Sequence, residues 1–246
     1  MHFDLPFTHY LALAGVAVII GMSKTGVAGV FNLAILGMAW MFGSKSSTGI
    51  ILPMLSMADV FAVIYYRRNA EWKYIWKVMP AALGGILVGV WVGKDLPEDQ
   101  FRILLGATVL IGVAVMLWTD LRRDKSVPTH PAFAWATGWA GGFATMVGNS
   151  AGPIMSVYLL AIRLPKNAFI GTAAWFFLII NLFKMPFQFL AWGNISGEVL
   201  LLDFMMLPAI ALGAWLGIRI VKAIPDTAYR YFVMVVTALS AILLFI

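Results

Sequence analysis

Pro80-Ala81-Ala82-Leu83-Gly84-Gly85-Ile86-Leu87-Val88-Gly89-Val90-Trp91-Val92-Gly93-Lys94-Asp95-Leu96-Pro97 is apolar for most of its length and then closes on charge and proline. Its skeleton, Pro80-x4-Gly85-x3-Gly89-x4-Lys94-x2-Pro97-x4-Arg102, recurs as Pro208-x4-Gly213-x3-Gly217-x4-Lys222-x2-Pro225-x4-Arg230. Six identities share one offset of 128 residues, which chance rarely produces. The chain therefore reads as two copies of one unit. Upstream, Lys45, Gly49 and Asp59 stand near-parallel to Lys166, Gly171 and Asn181, at an offset that drifts as loop-length changes would make it. Internal duplication marks secondary transporters. Gly85-x3-Gly89 and Gly213-x3-Gly217 are small-xxx-small patterns and predict close helix packing.

Composition sets the solvent. Of 246 residues, 62% are hydrophobic and 11% charged, against about 25% charged in a soluble domain. Mean hydropathy is +0.91. A soluble fold of this length cannot hide that much apolar surface, so lipid must be the solvent for much of it. The absence of cysteine excludes disulfides, thiolate catalysis and Cys-ligated metals. A formal charge of +6 could point to nucleic acid. In a membrane chain a basic cytoplasmic face is the ordinary cause, and no nucleic-acid partner is expected. Met1 to Phe7 carries no Lys or Arg and no small-residue cleavage pattern, so it is expected to lead into a retained helix.

Ten apolar stretches follow. The first half gives about His9–Gly21, Val27–Phe42, Thr48–Tyr66, Tyr74–Gly93 and Phe101–Trp118. After the polar segment Asp120–Pro131 come about Phe133–Val147, Pro153–Ile162, Phe169–Ala191, Val199–Val221 and Tyr229–Ile246. The first two stretches of each half are shorter than the roughly 20 residues of a full span. Between them lie Ser23-Lys24-Thr25-Gly26 and Gly148-Asn149-Ser150-Ala151-Gly152-Pro153. Such breaks are tolerated at membrane depth only where the backbone is buried in protein or lines a wet cavity. Each pair reads as a broken helical hairpin. Trp40, Trp91, Trp118, Trp139 and Trp192 near stretch ends read as interfacial anchors.

Loop charge orients the chain. If each hairpin returns to its starting side or crosses twice, one face collects Arg67, Arg68, Lys73, Lys77, Arg122, Arg123, Lys125, Arg163, Lys166, Arg219, Lys222 and Arg230. The other face collects Lys45, Lys94 and Arg102, a ratio of twelve to three. A single crossing per hairpin would make the split near even. The positive-inside bias selects the first topology and predicts both termini outside. It also inverts the second unit relative to the first. Inverted repeats place a site at their interface near the midplane. The expected fold is all-α: a polytopic membrane protein of two inverted repeats, each a broken helical hairpin plus three transmembrane helices. Residues 1–246 form one transport domain, with repeats over about 8–119 and 132–246.

The candidate site gathers at the breaks. Lys24, Thr25 and Gly26 offer a cation and a helix start, whose free N–H groups and positive dipole end suit an anion. An intramembrane lysine costs roughly 2.5–3.5 kcal/mol on insertion scales, so it calls for a reason. The bland reason is a stem that snorkels to water. Asn149, Ser150 and Gly152 form the matching break, with helix capping as the plain alternative. Lys184 lies deep in Phe169–Ala191, and Asn181 is one residue short of a turn before it, so both can point inward. Pro186 frees a backbone carbonyl beside them. Asp59, paralleling Asn181, is the proton-coupling candidate; pairing with Lys24 is the structural alternative. Asp203 is the other acid within a stretch, equally suited to a pore rim.

The three histidines, His2, His9 and His130, lie at the chain start or in a loop. There is no HExxH, GxSxG or Walker A sequence, so no enzyme, metal or cofactor is expected.

Ser23-Lys24-Thr25-Gly26, Lys45-Ser46-Ser47-Thr48-Gly49-Ile50, Asp59-Val60-Phe61-Ala62-Val63 and Tyr66-Arg67-Arg68 together resemble the first half of the TauE/SafE sulfite-exporter family. Gly148-Asn149-Ser150-Ala151-Gly152-Pro153, Leu164-Pro165-Lys166 and Gly171-Thr172-Ala173-Ala174-Trp175-Phe176-Phe177, running on through Asn181 to Lys184, resemble its second half more closely. The first break here is less glycine-rich than in many relatives. The resemblance implies movement of sulfite, sulfonates or related small sulfur oxyanions across a bacterial inner membrane. The expected function is secondary transport by alternating access. A passive anion channel of the same fold is the alternative, and a membrane assembly factor stands behind it. Expected partners are a small inorganic or organosulfur anion and membrane lipid, and the chain is compatible with a homodimer.

Overall fold

A computed structural model describes residues 6–101, 103, 104, 107, 111, 114 and 130–242, the last six by backbone alone. Among these residues all regular structure is helical. In lipid every backbone polar group must find its partner within the chain, and a helix does this locally. The order is α1 Phe7–Lys24, α2 Phe31–Phe42, α3 Ser44–Tyr66, α4 Trp72–Lys94, α5 Pro131–Gly148, α6 Gly152–Ala161, α7 Lys166–Pro186, α8 Gly197–Met205, α9 Leu207–Ala223 and α10 Asp226–Ile242. A 3-10 turn extends α3 through Asn69, and a π turn extends α7 through Ala191. By length and composition α1, extended α3, α4 and extended α7 can each cross a membrane. The stretch Phe101–Trp118 and most of Asp120–Pro131, with Arg122, Arg123 and Lys125, lie largely outside the described residues.

Two elements differ from the sequence reading. The first stretch is not short: α1 runs 18 residues to Lys24. Ser23 keeps its turn by donating its hydroxyl to the Ile20 carbonyl, so polar side chains alone do not end the helix. The break falls instead at Thr25 to Val30, where Gly26 and Gly29 adopt positive φ. The short members of each pair are α2 and α6, of 12 and 10 residues. The second difference is in Val199–Val221, expected as one span. It is bent by 49° between α8 and α9, just before Pro208, whose ring cannot continue the preceding helix.

Glycine contacts fix the packing. A Cβ on Gly213 would meet the Val18 carbonyl, and one on Gly21 the Ile210 carbonyl, so α1 and α9 touch backbone to backbone. In the same way a Cβ on Gly85 would meet the Trp139 carbonyl, and one on Gly142 the Ala82 carbonyl, joining α4 to α5. Each contact in one pair has its counterpart in the other, with the two halves exchanging roles. Lipid tails give helices no hydrophobic drive to associate, so such close van der Waals approach carries the assembly.

Between these pairs stand α3 and α7. The apolar window of α3 is 78% buried, against 28% for α1, which makes α3 the central span. Gly49 near the start of α3 lies against Asn194 beyond the end of α7, and Gly171 near the start of α7 lies against Tyr66 and Ala70. The two helices are therefore antiparallel. At one end Lys45 Nζ donates to the Lys94 and Leu96 carbonyls. At the other, Lys166 Nζ donates to the Val221 and Ile224 carbonyls. Trp40 and Trp91 are exposed. Trp192 turns inward, donating to the Val90 carbonyl and meeting Phe101 edge to face.

Gly142→Leu and Gly213→Leu should each lower the thermal unfolding midpoint in detergent, by the about 1–3 kcal/mol that overpacking costs or more. Gly84, whose Cβ would meet nothing within 4 Å, is the control: Gly84→Ala should leave the midpoint unchanged or raise it.

Candidate functional site

The two breaks meet at a cavity of about 80 Å³. The first break supplies Ser23, Lys24 and Gly26 to its wall, and the second supplies Asn149 and Gly152. Asp59 enters from α3, Ser156 from α6, Phe177 from α7 and Tyr229 from α10. A Cβ on Gly152 would meet nothing within 4 Å, so the start of α6 is open to the cavity. The first N–H groups of a helix have no partner inside it and can turn toward a ligand.

Lys24 is the last residue of α1, and its ammonium lies 2.9 Å from Asp59 Oδ1. It also sits 4.2 Å above the Phe177 ring, which adds a cation–π attraction. The second oxygen of Asp59 accepts a 2.6 Å hydrogen bond from Asn181 Nδ2. Asp59 and Asn181, near-parallel in the sequence of the two halves, meet directly. Asp59 is fully buried, so a charge there is tolerable only because it is paired and hydrogen-bonded.

Lys184 forms a second centre. Its ammonium donates to the Thr145 carbonyl and hydroxyl, each at 2.9 Å, and to Asn149 Oδ1 at 2.6 Å. Asn149 in turn donates its amide to the Thr48 carbonyl of α3 at 2.9 Å. Asn149 caps α5 in the left-handed conformation, with φ of 55°, so the capping role and the place on the cavity wall coexist. Ser150 donates its hydroxyl to the Ala144 carbonyl.

Of the sequence-selected residues, Lys24, Gly26, Asp59, Asn149 and Gly152 line the cavity. Thr25, Ser150, Asn181 and Lys184 are buried and absent from its wall. Thr25 bonds back to the Gly21 carbonyl. Lys184 stands behind Asn149, and Asn181 behind Asp59; both act on the wall through those residues. Asp203 is fully buried elsewhere, its carboxylate oxygens without a hydrogen-bond partner among the described residues, and it lines no part of this cavity.

Sequence reasoning missed Tyr229, Phe177 and Ser156. Tyr229 donates its hydroxyl to the Gly26 carbonyl at 2.8 Å and so holds the first break from the far end of the chain. A signal existed: Tyr229 precedes Arg230 in the repeat, where the first copy has Phe101 before Arg102.

Long apolar helices, buried charge gathered at two helix breaks and a small polar-edged cavity between them define a multi-pass membrane transporter. The family model for the sulfite exporter TauE/SafE matches residues 11–244, and the chain belongs to that family. Its members are membrane transporters of sulfur anions, not enzymes. No curated protein matches the chain.

Removing one partner of a buried ion pair costs about 3–5 kcal/mol, because the other charge is left uncompensated. Lys24→Met and Asp59→Leu should therefore each depress the unfolding midpoint more than the double variant does. A double variant as unstable as the sum of the singles would mean the pair is not coupled.

Proposed function

We propose that the chain is a secondary transporter that moves small sulfur oxyanions, sulfite or sulfonates, by alternating access between two inverted repeats. The observation that carries this reading is Lys24, a cation only 11% exposed on the cavity wall, whose partner is a fully buried carboxylate. Asp59 occupies Lys24 in the way an oxyanion substrate would, with N⁺–H···O⁻ geometry. A cavity of about 80 Å³ has room for a few waters or a small anion and excludes a large solute. The N–H groups at the start of α6 and the Asn149 side chain complete an anion-binding wall.

The exchange of glycine contacts between α1–α9 and α4–α5 supports the inverted repeat, as does the antiparallel course of α3 and α7. The whole chain then acts as one transport domain in a bacterial inner membrane, with both termini outside and its basic end facing the cytoplasm. Coupling runs through Asp59. A proton on Asp59 weakens its hold on Lys24, and the freed ammonium takes the substrate anion. Lys184 and Asn181 position Asn149 and Asp59 and keep their spacing during the cycle.

In proteoliposomes the chain should catalyse counterflow of labelled sulfite, which a passive channel does not support. Lys24→Ala should lower the flux about tenfold or more, since a hydrogen bond to a charged group contributes about 1.5–3 kcal/mol. Asp59→Asn should retain counterflow and lose the response to a pH gradient imposed separately from voltage. Unchanged flux of every anion tested in Lys24→Ala would sink the site assignment.

A further inference from the structure

A polar pocket opens at the end of the bundle where α3 finishes, lined by Tyr65, Asn69, Lys166, Asn167, Lys222 and Asp226. We propose that it binds the phosphate headgroup of an anionic phospholipid.

The charge of the pocket is one-sided. Its single acid, Asp226, lies 3.1 Å from Lys166 Nζ and is thereby neutralised. Lys166 spends its other hydrogens on the Val221 and Ile224 carbonyls. Lys222 pairs with no carboxylate among the described residues; its ammonium lies 5.2 Å from the Tyr65 ring. Exposed Arg67 and Arg68 stand in the turn that reaches Asn69. The pocket therefore holds a cation with no carboxylate partner among the described residues, beside Asn69 and Asn167.

The opposite end of the molecule shows what the same scaffold does with an oxyanion. Lys45, Lys94 and Glu98 stand there at the positions that Lys166, Lys222 and Asp226 hold in the second copy. The Glu98 carboxylate accepts from the backbone N–H groups of Ser44 and Lys45 and so sits at the start of α3. Asp226 is one methylene shorter and bonds the Lys166 ammonium instead. Among the described residues no side chain accepts from the first N–H groups of α7, which begins at the pocket. A phosphate oxygen there would replace the carboxylate that the first copy supplies from its own chain.

The surroundings favour a lipid over a free ion. Tyr65 is 45% exposed, and Trp72 and Trp76, on the first turns of α4, are 39% and 61% exposed. Amphipathic aromatic rings beside a basic cluster are the signature of the headgroup level of an anionic leaflet.

The test uses the delipidated full chain, titrated with phosphatidylglycerol or phosphatidylcholine in mixed micelles, and separately with inorganic phosphate. The readout is the unfolding midpoint, with bound lipid counted by native mass spectrometry. Phosphatidylglycerol should stabilise the protein saturably and phosphatidylcholine should not. Lys222→Gln should weaken phosphatidylglycerol binding about fivefold. Lys94→Gln, at the matching exposed position of the other end, should leave it unchanged. Equal binding by the two variants would overturn the proposal. So would Lys222-dependent stabilisation by inorganic phosphate equal to that by the lipid, since the ligand would then be a soluble phosphate. The outcome is independent of any transport assay.

Discussion

A single buried carboxylate holds the centre of this molecule. Asp59 on α3 binds Lys24 of α1 through one oxygen and Asn181 of α7 through the other. A lone carboxylate at full burial would be prohibitive, and so would a lone lysine. Each is admitted because the other is there. The end of the first helix, the central span and its antiparallel counterpart are therefore placed together by electrostatics. Once they are together, the break after Lys24 has no course except along the cavity, and the break at Asn149 faces it from the other half of the chain.

The glycines make that arrangement reachable. Lys24 arrives at Asp59 only if α1 lies close against the rest of the bundle, and Gly21 and Gly213 let it touch α9 backbone to backbone. Gly85 and Gly142 bring α5 to α4 in the same manner, which delivers Asn149 and Thr145 to Lys184. Packing and polar chemistry thus depend on each other. Small residues set the helix spacing, and the spacing decides which polar groups can pair.

Much of this was legible in the sequence, for physical reasons that can be named. The glycine spacing was legible because Gly85 and Gly213 lie against a neighbouring backbone and Gly89 and Gly217 against the Met146 and Thr25 side chains, where a Cβ has no room. Asp59 and Asn181 were legible only as near-parallel positions at a drifting offset; the pairing expected for Asp59 was Lys24, and its hydrogen bond with Asn181 came from the structure. Periodicity does not reveal the direction of a side chain across an interface. Lys184 therefore read as a cavity ligand, although its donors go to Thr145 and Asn149. Tyr229 was hidden for a similar reason, since its hydroxyl reaches a carbonyl in a segment remote in sequence. The bend before Pro208 was hidden by its surroundings. Pro53 and Pro80 sit inside continuous helices, so proline alone did not distinguish the broken span.

The two halves of the chain make matching glycine contacts but divide the buried charge unequally. At the offset of 121 that relates Gly21 to Gly142, Lys24 corresponds to Thr145. At the offset of 122 that relates Gly49 to Gly171, Asp59 corresponds to Asn181 and Lys184 to Ala62. The first copy thus contributes an ion pair to the centre, and the second contributes one lysine with neutral partners. Formally that leaves one positive charge in excess among Lys24, Asp59 and Lys184. The surplus cation sits among the side chains that line or back the cavity and accords with the anion proposed for it.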